Sequence, residues 1–351
     1  MTNESEALEA LRALVRLDTT SGRLEGQAQA QSLALEYAMS IDGVRLTKRS
    51  TDGRPWALLE VGTEPGVLFV CHMDTVPVGQ PETWDREPRS ADVEDGVLYG
   101  RGAVDMKAGL IAALYALHRA ADQGTSASVL LTSDEEIGCR GAADCAADLE
   151  LSPSLVIVPE ATNNSVSLGH RGANWLKLTA HGKAAHGSAP HRGSNAIQLL
   201  SSRAIARLGE LPLSSEVYLG DETVNLGLIS GGIATNIVPD SAFLTLDIRT
   251  VADGRNAVEW ASGLDPEIDV EVLLDLPAVR TESVPQMLED QTAAPAVSYF
   301  TDASALQSSF GEAPVVIWGP GDPVQMHALN EHLELESWSQ AMRNFADVVS
   351  Q

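Results

Sequence analysis

The sequence contains few thiols and few lysines. Its three cysteines, Cys71, Cys139 and Cys145, are odd in number and form no CxxC pair, which argues against a disulfide framework and against a thiolate zinc site. There are only four lysines, and the formal net charge is -26 with a pI near 4.5. Because such a surface repels a phosphate backbone, nucleic acid is not expected as a partner.

Long apolar runs are also missing. No stretch of 18 or more apolar residues occurs, and the first helix-like segment is acidic, so the sequence gives no sign of membrane spanning or secretion. Together with the unpaired cysteines, this predicts a cytoplasmic protein with no membrane partner. The acidic, lysine-poor composition fits either a high-salt cytoplasm or a genome that favours arginine.

The length and apolar content predict two domains. A chain of 351 residues, 44% of them hydrophobic, exceeds what one core usually organises. Residues 1–170 and 277–351 carry helical periodicity at 5–16, 26–41, 107–121 and 334–349, and continuous apolar runs at 57–61, 66–70, 128–132, 155–158 and 314–318. Continuous runs are typical of strands buried on both faces of a sheet, so this part is predicted to be an α/β domain.

Residues 171–276 have a different hydrophobic pattern. Their apolar residues alternate with polar ones over Trp175–Thr179, Val224–Leu228, Phe243–Ile248 and Val270–Leu274, and the helical stretches 195–208 and 257–262 lie between these segments. The order predicts a β-α-β-β-α-β unit, a small α+β domain inserted into the larger one.

Two candidate metal ligands are His72, at the end of a buried apolar run, and Asp105, in a glycine-hinged loop. His72 ends an apolar run, and alternation along a strand puts Asp74 on the same face, where it could hold the imidazole through its second nitrogen. Asp105 precedes a helix, and its two oxygens could bridge two cations. Each has a plainer reading: a buried histidine paired with a carboxylate for structural reasons, and an aspartate that caps the helix.

Three more candidates have the same ambiguity. Glu135 and Glu136 directly follow a buried run, and adjacent carboxylates repel unless a cation or a raised pKa relieves them, so one can ligate while its neighbour moves protons. Glu160 follows the next run, and His327 follows a Gly-Pro-Gly sequence. Alone, each reads equally well as a solvated surface residue. With the two candidates above, one of the adjacent glutamates, Glu160 and His327 supply two histidines and three carboxylates, which suit two zinc ions that share a carboxylate.

These residues and their order resemble the di-zinc metallopeptidase family that includes acetylornithine deacetylase, succinyl-diaminopimelate desuccinylase, aminoacylases and glutamate carboxypeptidase. The match runs from Leu-Asp-Thr-Thr-Ser-Gly at 17–22 to His-Ala-Leu-Asn-Glu at 327–331. Ala161 follows Glu160 where relatives often have proline, and Cys71 precedes His72 where glycine is common. The resemblance implies an α/β catalytic domain with a mixed sheet and an inserted ferredoxin-like lid and dimerisation domain, and hence a homodimer.

The resemblance also implies how the metals are held. His72 and Glu160 would bind one divalent ion, Glu136 and His327 would bind the other, and Asp105 would bridge the two. Zinc is the expected metal, with Co2+ or Mn2+ as alternatives.

Three further expectations about the same site come from the resemblance. Glu135 would be the general base that activates water. Asp74 would orient the histidine ligand beside it, and the peptide between Asp105 and Met106 would be cis.

Four residues of the inserted domain match positions that handle substrate in the resembled family. His186, in Lys-Ala-Ala-His, would reach the partner subunit's active site and polarise the scissile carbonyl. Asn236 and Arg249 would hold the substrate's carbonyl and carboxylate, and Arg171 would join them. Surface solubility is the alternative reading for the two arginines.

The substrate is expected to be an N-acyl amino acid, whose amide bond is hydrolysed. The Gly-Pro-Gly run before His327 and the passage Ala-Pro-His-Arg-Gly-Ser-Asn-Ala-Ile at 189–197 resemble acetylornithine deacetylase and succinyl-diaminopimelate desuccinylase. An exopeptidase that cleaves a dipeptide or a C-terminal residue at the same site is the alternative. A binding protein that kept the fold without catalysis is a third reading, against which the complete ligand set argues.

Overall fold

A computed structural model of the protein describes residues 4–149 and 151–351; positions 1–3 and 150, which fall within the first predicted domain, lie outside the described residues. The helices are α1 Glu4–Arg16, α2 Leu24–Ala38, α3 Ala108–Gln123, α4 Arg140–Ala146, α5 Ala196–Arg203, α6 Arg255–Ser262, α7 Ala303–Leu306 and α8 Leu335–Val348. The strands of three or more residues are β1 Arg45–Thr51, β2 Arg54–Val61, β3 Val67–His72, β4 Val97–Tyr99, β5 Ala127–Thr132, β6 Leu155–Val158, β7 Gly172–His181, β8 Thr223–Gly231, β9 Ser241–Thr250, β10 Ile268–Leu276, β11 Val315–Ile317 and β12 His332–Glu334.

The chain divides into two compact units. The first comprises Met1–Gly169, Val279–Pro295 and Thr301–Gln351, and the second comprises His170–Ala278 and Ala296–Phe300. The borders expected from the sequence, at 170/171 and 276/277, fall within two residues of these. The segment Ala296–Phe300 was expected in the first domain, but it lies in the second unit.

The first unit is built on a mixed sheet. Its described strands follow the order β1-β2-β5-β3-β6-β11, and the short strands Val166–Ser167 and Ala293–Ala294 complete one edge. The central strands β5, β3, β6 and β11 are parallel to one another. Strand β2 pairs antiparallel with β5, and β1 pairs antiparallel with β2. Every residue of β3 and β6 is buried, as the continuous apolar runs predicted. Because parallel strands end at one edge of a sheet, residues that follow them are brought together there.

Helix α3 packs close to that edge. Most of its residues are buried, and α8 lies against it, with the indole N–H of Trp338 donating to the Ala108 carbonyl at 3.1 Å. A Cβ at Gly109 would lie 2.0 Å from the carbonyl oxygen of Pro159. A glycine is therefore required for α3 to approach the residue that precedes Glu160.

The strand β1 was not predicted from the sequence. It pairs with β2 through a tight turn at Asp52 and Gly53, whose φ angles are 49° and 83°. All of its residues are exposed or half-buried, and its sequence, Arg-Leu-Thr-Lys-Arg-Ser-Thr, carries no apolar alternation. A strand at a solvated edge buries too little to leave a hydrophobic pattern.

The second unit contains an antiparallel sheet in the order β8-β9-β7-β10. Alternate residues of β7 and β9 are buried, and they pack with α5 and α6 into one apolar cluster. The side chain of Asn195 caps α5 by accepting hydrogen bonds from the backbone N–H groups of Ile197 and Gln198. The chain order β7-α5-β8-β9-α6-β10 is that of the predicted β-α-β-β-α-β unit.

Membrane crossing finds no support in these elements. Among the helices of the described residues, none combines the length and the apolar character that a membrane span requires.

Candidate metal centre

Three of the predicted ligands, His72, Glu136 and Glu160, lie at or just beyond the ends of parallel strands. His72 is the last residue of β3, Glu135 and Glu136 follow β5, and Glu160 follows β6. His327 lies in the connection between β11 and β12. The sheet topology therefore gathers side chains from four chain segments at one edge.

The side chains converge in two groups that share Asp105. The Nε2 atom of His72 lies 3.1 Å from Asp105 Oδ1 and 3.2 Å from Glu160 Oε1. The Nε2 atom of His327 lies 3.1 Å from Asp105 Oδ2 and 3.0 Å from Glu136 Oε2. Each oxygen of Asp105 thus faces a different histidine, and each of these histidines also contacts a different glutamate, an arrangement that suits a bridging carboxylate.

Two oxygens at this site lack a partner that burial would normally require. Glu136 Oε1 and Glu160 Oε2 are buried and accept no hydrogen bond in the described structure. A buried carboxylate oxygen without a partner is costly, and a divalent cation is one partner that would satisfy it. Histidine nitrogens with carboxylate oxygens form a donor set that suits zinc and similar ions, so the residues present fit two metal ions.

The pKa shifts of the two histidines also favour a site for cations. Burial disfavours the charged form of His72, yet its contacts with Asp105, Asp74 and Glu160 raise its pKa well above the usual range. Hydrogen bonds to Asp105 and Glu136 raise the pKa of His327 to about 10. The surrounding carboxylates thus favour positive charge at both imidazoles. Divalent cations would supply this charge and displace the protons of the imidazoles, because a ligating histidine is neutral.

Asp74 contacts both the His72 imidazole and the turn that carries the two adjacent glutamates. The Nδ1 atom of His72 lies 3.1 Å from the main-chain carbonyl of Asp74 and 3.5 Å from its carboxylate. The carboxylate accepts from the Ser21 hydroxyl at 2.8 Å and from the backbone N–H groups of Glu135 and Glu136 at 3.0 and 3.3 Å. These contacts are compatible with the predicted role of Asp74 in orienting the imidazole, which stays a prediction.

Glu135 is buried, so the exposed acidic loop considered for this segment is wrong. Its side chain retains 5% of its accessible surface, and burial, together with the nearby carboxylates, raises its pKa well above the ordinary value. Among the described residues, the side chains that contact the imidazoles of His72 and His327 are those of Asp74, Asp105, Glu136 and Glu160, and Glu135 is not one of them. A carboxylate with a raised pKa beside a metal centre suits proton transfer near neutral pH.

Asp105 does not cap a helix, so that alternative is also wrong. Helix α3 begins after Lys107 and has no side-chain cap, whereas the predicted cis peptide between Asp105 and Met106 is confirmed. Both oxygens of Asp105 face the histidines instead.

Glu331 holds the loop of Asp105 and was not predicted as a site residue. Its fully buried carboxylate accepts from the Arg101 guanidinium at 2.8 Å and from the backbone N–H groups of Gly102, Val104 and Asp105 at 3.0, 2.8 and 3.2 Å. Glu331 lies four residues after His327, so one carboxylate fixes two of the segments that supply ligands.

The other predicted residues belong to the second unit. His186 is exposed, and its Nδ1 atom lies 2.7 Å from the Ser188 hydroxyl. Arg249 pairs with Asp247 at 3.1 Å and lies over the Phe300 ring.

Arg171 and Asn236 take part in backbone contacts of the second unit. The guanidinium of Arg171 donates to the Leu219 carbonyl at 3.0 Å. The main-chain carbonyl of Asn236 accepts from the Gly187 N–H at 2.8 Å, whereas its side chain is exposed. Neither contact assigns a substrate role, so the four roles stay predictions.

A site that gathers two histidines and two glutamates around a shared aspartate has the donor set of a candidate metallohydrolase. Residues 68–351 match the model of peptidase family M20/M25/M40, so the chain belongs to that family, as the resemblance predicted. The chain is a hydrolytic enzyme, and the prediction of an enzyme is confirmed.

Two relatives show the range of names within this family. A probable carboxypeptidase of Aspergillus niger is 30% identical over 307 residues, which cover 81% of this chain and 73% of that protein. A probable succinyl-diaminopimelate desuccinylase of Staphylococcus epidermidis is 26% identical over 403 residues, with coverage of 99% and 97%. Both names occur among the relatives, so the comparisons give a metallohydrolase and leave its substrate type open.

Solved structures share the fold. An M20 family metallo-carboxypeptidase from Sulfolobus solfataricus superposes with a TM-score of 0.82 at 20% identity, covering 98% of both chains. A dinuclear metal-binding peptidase of the M20 family from Bacillus subtilis gives a TM-score of 0.66 at 15% identity, covering 99% of this chain and 97% of that one. The mixed-sheet α/β fold predicted from the sequence is therefore confirmed.

Proposed function

We propose that the protein hydrolyses the amide bond of an N-acyl amino acid at a centre of two divalent metal ions. His72, Asp105 and Glu160 hold one ion, and Asp105, Glu136 and His327 hold the other. The observation that carries this proposal is the division of the two Asp105 oxygens between two histidine and glutamate pairs, at 3.0 to 3.2 Å. Zinc suits this donor set best, and Co2+ or Mn2+ are alternatives.

Glu135 performs the proton transfers. When bound, the ions would supply positive charge that lowers the pKa of water and polarises the scissile carbonyl. Glu135 takes a proton from the attacking water and gives it to the leaving amine as the amide breaks, so no covalent enzyme intermediate is required. Asp74 keeps the imidazole of His72 and the Glu135 turn in place throughout.

The second unit is proposed to serve as lid and dimerisation domain. His186 of one subunit polarises the scissile carbonyl in its partner's site, Asn236 holds the same carbonyl, and Arg249 with Arg171 binds the substrate carboxylate. The edge strand β8 supports a homodimer, because Leu228 and Ile229 expose 62% and 56% of their surface there. The proposed location is the cytoplasm.

A carboxypeptidase activity is the second candidate. The relative from Aspergillus niger, which covers 81% of this chain, is named a probable carboxypeptidase. An N-acyl amino acid and the C-terminal residue of a peptide share one chemistry, an amide nitrogen next to a free α-carboxylate. The two candidates therefore differ in what lies on the acyl side of the bond.

A substrate panel decides between them. The metal-loaded enzyme is assayed with N-acetylornithine, N-succinyl-diaminopimelate, other N-acyl amino acids, dipeptides and longer peptides, each with its C-terminal amide as a matched control. We expect the highest kcat/KM on an N-acyl amino acid and little turnover of the amides. Faster release of C-terminal residues from peptides would replace the deacylase assignment with a carboxypeptidase assignment. If the metal-loaded protein hydrolyses no substrate of the panel, both assignments are wrong.

Replacing His327 with alanine is expected to remove one metal ion and leave the other. Only the pair of Glu136 and Asp105 would remain around that position, whereas His72 and Glu160 would be untouched. Metal content by mass spectrometry should fall from two equivalents to one. His181→Ala, an exposed histidine of the second unit, is the control that should retain two, and an unchanged content in His327→Ala would contradict the ligand assignment.

Replacing His186 with alanine is expected to lower kcat about a hundredfold with both metals retained, the size of effect that loss of one oxyanion donor produces. His191→Ala is the matched control, since it is exposed in the same segment. Mixing His186→Ala with Glu135→Ala subunits should restore part of the activity if the histidine acts across the dimer. Kinetics like those of the wild type in His186→Ala would remove this residue from the mechanism.

A further inference from the structure

A buried thiol and a second buried carboxylate lie behind Glu135. The Cys139 thiol donates to Glu135 Oε1 across 3.8 Å, and one polar atom from each of Glu135, Cys139 and Asp302 lies within 4.8 Å of the other two. The three side chains retain 5%, 0% and 2% of their accessible surface. This cluster is separate from the five proposed ligands, and the proposed reaction gives Cys139 and Asp302 no role.

Asp302 is fixed in place from the central sheet. The hydroxyl of Thr132, the last residue of β5, donates to Asp302 Oδ2. The other oxygen, Oδ1, is buried and makes no hydrogen bond among the described residues. Asp302 immediately precedes α7 and is far in sequence from the Glu135 turn, so only the tertiary fold brings the two carboxylates together.

The backbone conformation at position 139 does not favour cysteine. Its φ of 52° lies in the left-handed region, which glycine or asparagine adopts more readily. Burial and the two neighbouring carboxylates raise the pKa of the thiol well above its usual value, so the sulfur keeps its proton and acts as a donor.

We propose that Cys139 is a positioning residue for the general base, and that Asp302, whose carboxylate lies within 4.8 Å of the same thiol, confines the thiol at that position. The thiol donates a hydrogen bond to Oε1 of Glu135, so that Oε2 faces the water and the leaving amine. Without this contact the carboxyl group rotates away from the geometry that proton transfer requires. The inference rests on the proposed function, in which Glu135 is the base.

The test compares four variants: Cys139→Ala, Cys139→Ser, Asp302→Asn, and Cys145→Ala as the matched control. Cys145 is a second buried thiol of the same segment, but it donates to the Ala142 carbonyl within α4. We expect Cys139→Ala to lower kcat about tenfold, the effect of one hydrogen bond to a charged group. KM and the content of two metal equivalents should not change. Cys139→Ser should recover most of the loss, because a hydroxyl also donates.

Asp302→Asn keeps the shape of the side chain and the acceptor for Thr132, and it should lower kcat as well. It also serves if Cys139→Ala does not fold. Crystal structures of the variants provide a readout that needs no substrate: the Glu135 carboxyl group should leave its wild-type position in Cys139→Ala and keep it in Cys145→Ala.

Three outcomes would overturn the positioning role. They are a kcat in Cys139→Ala equal to that in Cys145→Ala, a Cys139→Ser variant as slow as the alanine variant, or a Glu135 side chain that does not move. Failure of the proposed function looks different: the wild-type enzyme turns over nothing in the panel, or Glu135→Gln keeps full activity, and the crystallographic comparison still decides the role of Cys139.

Discussion

Replacement of Glu135 by alanine or glutamine is expected to lower kcat about a thousandfold while both metal ions remain bound. The reason is the separation of two tasks between adjacent residues. Glu136 faces His327 at 3.0 Å, whereas Glu135 lies buried beside that cluster with a raised pKa and none of the ligand contacts. Loss of its carboxylate removes the acceptor of the water proton and nothing that holds a cation.

Metal content and steady-state kinetics measured on the same preparation check this result. Glu64→Ala, a change at an exposed glutamate of the same unit, should leave kcat and both ions unchanged. Full activity in Glu135→Gln would end its assignment as the base, and loss of an ion would make it a ligand instead.

The largest effect on stability is expected from Glu331→Ala. This change leaves the buried Arg101 guanidinium without its counter-charge and three backbone N–H groups without an acceptor. Breaking a buried ion pair by removing one partner costs about 3–5 kcal/mol of unfolding free energy. Because the same N–H groups belong to the Asp105 loop, affinity for metal should fall as well.

Urea unfolding of the metal-free protein, followed by metal titration, measures both effects. Glu331→Gln should lose less unfolding free energy than the alanine variant, because its carbonyl oxygen still accepts hydrogen bonds. It should still lose some, because its NH2 group faces donors. The control is Glu334→Ala, three residues further along at an exposed position of β12. Equal unfolding free energies for Glu331→Ala and Glu334→Ala would contradict the role given to the buried carboxylate.

Much of the candidate site was visible in the sequence because its ligands follow buried strands. Continuous apolar runs marked β3, β5 and β6, and parallel strands place whatever follows them at one edge. That argument brings His72, Glu135 and Glu160 together without any coordinates. It could not separate Glu135 from Glu136, since the assignment of base and ligand depends on which carboxylate faces His327.

The supporting residues were missed because no local pattern marks them. Glu331 and Asp302 look like ordinary acidic residues in a very acidic chain, and only tertiary contacts show that they are buried. The edge strand β1 was missed for the opposite reason, since it is polar along its length. The segment Ala296–Phe300 carries no periodicity that would assign it to the second unit.

The two halves of the metal centre differ in their access to solvent. The side chains of His72, Asp105 and Glu160 expose 2%, 5% and 3% of their surface, whereas that of His327 exposes 51%. Ligand exchange needs an approach path for water or chelator, and only the His327 half provides one directly. We therefore expect a chelator to remove the ion on the His327 side faster than the ion on the His72 side.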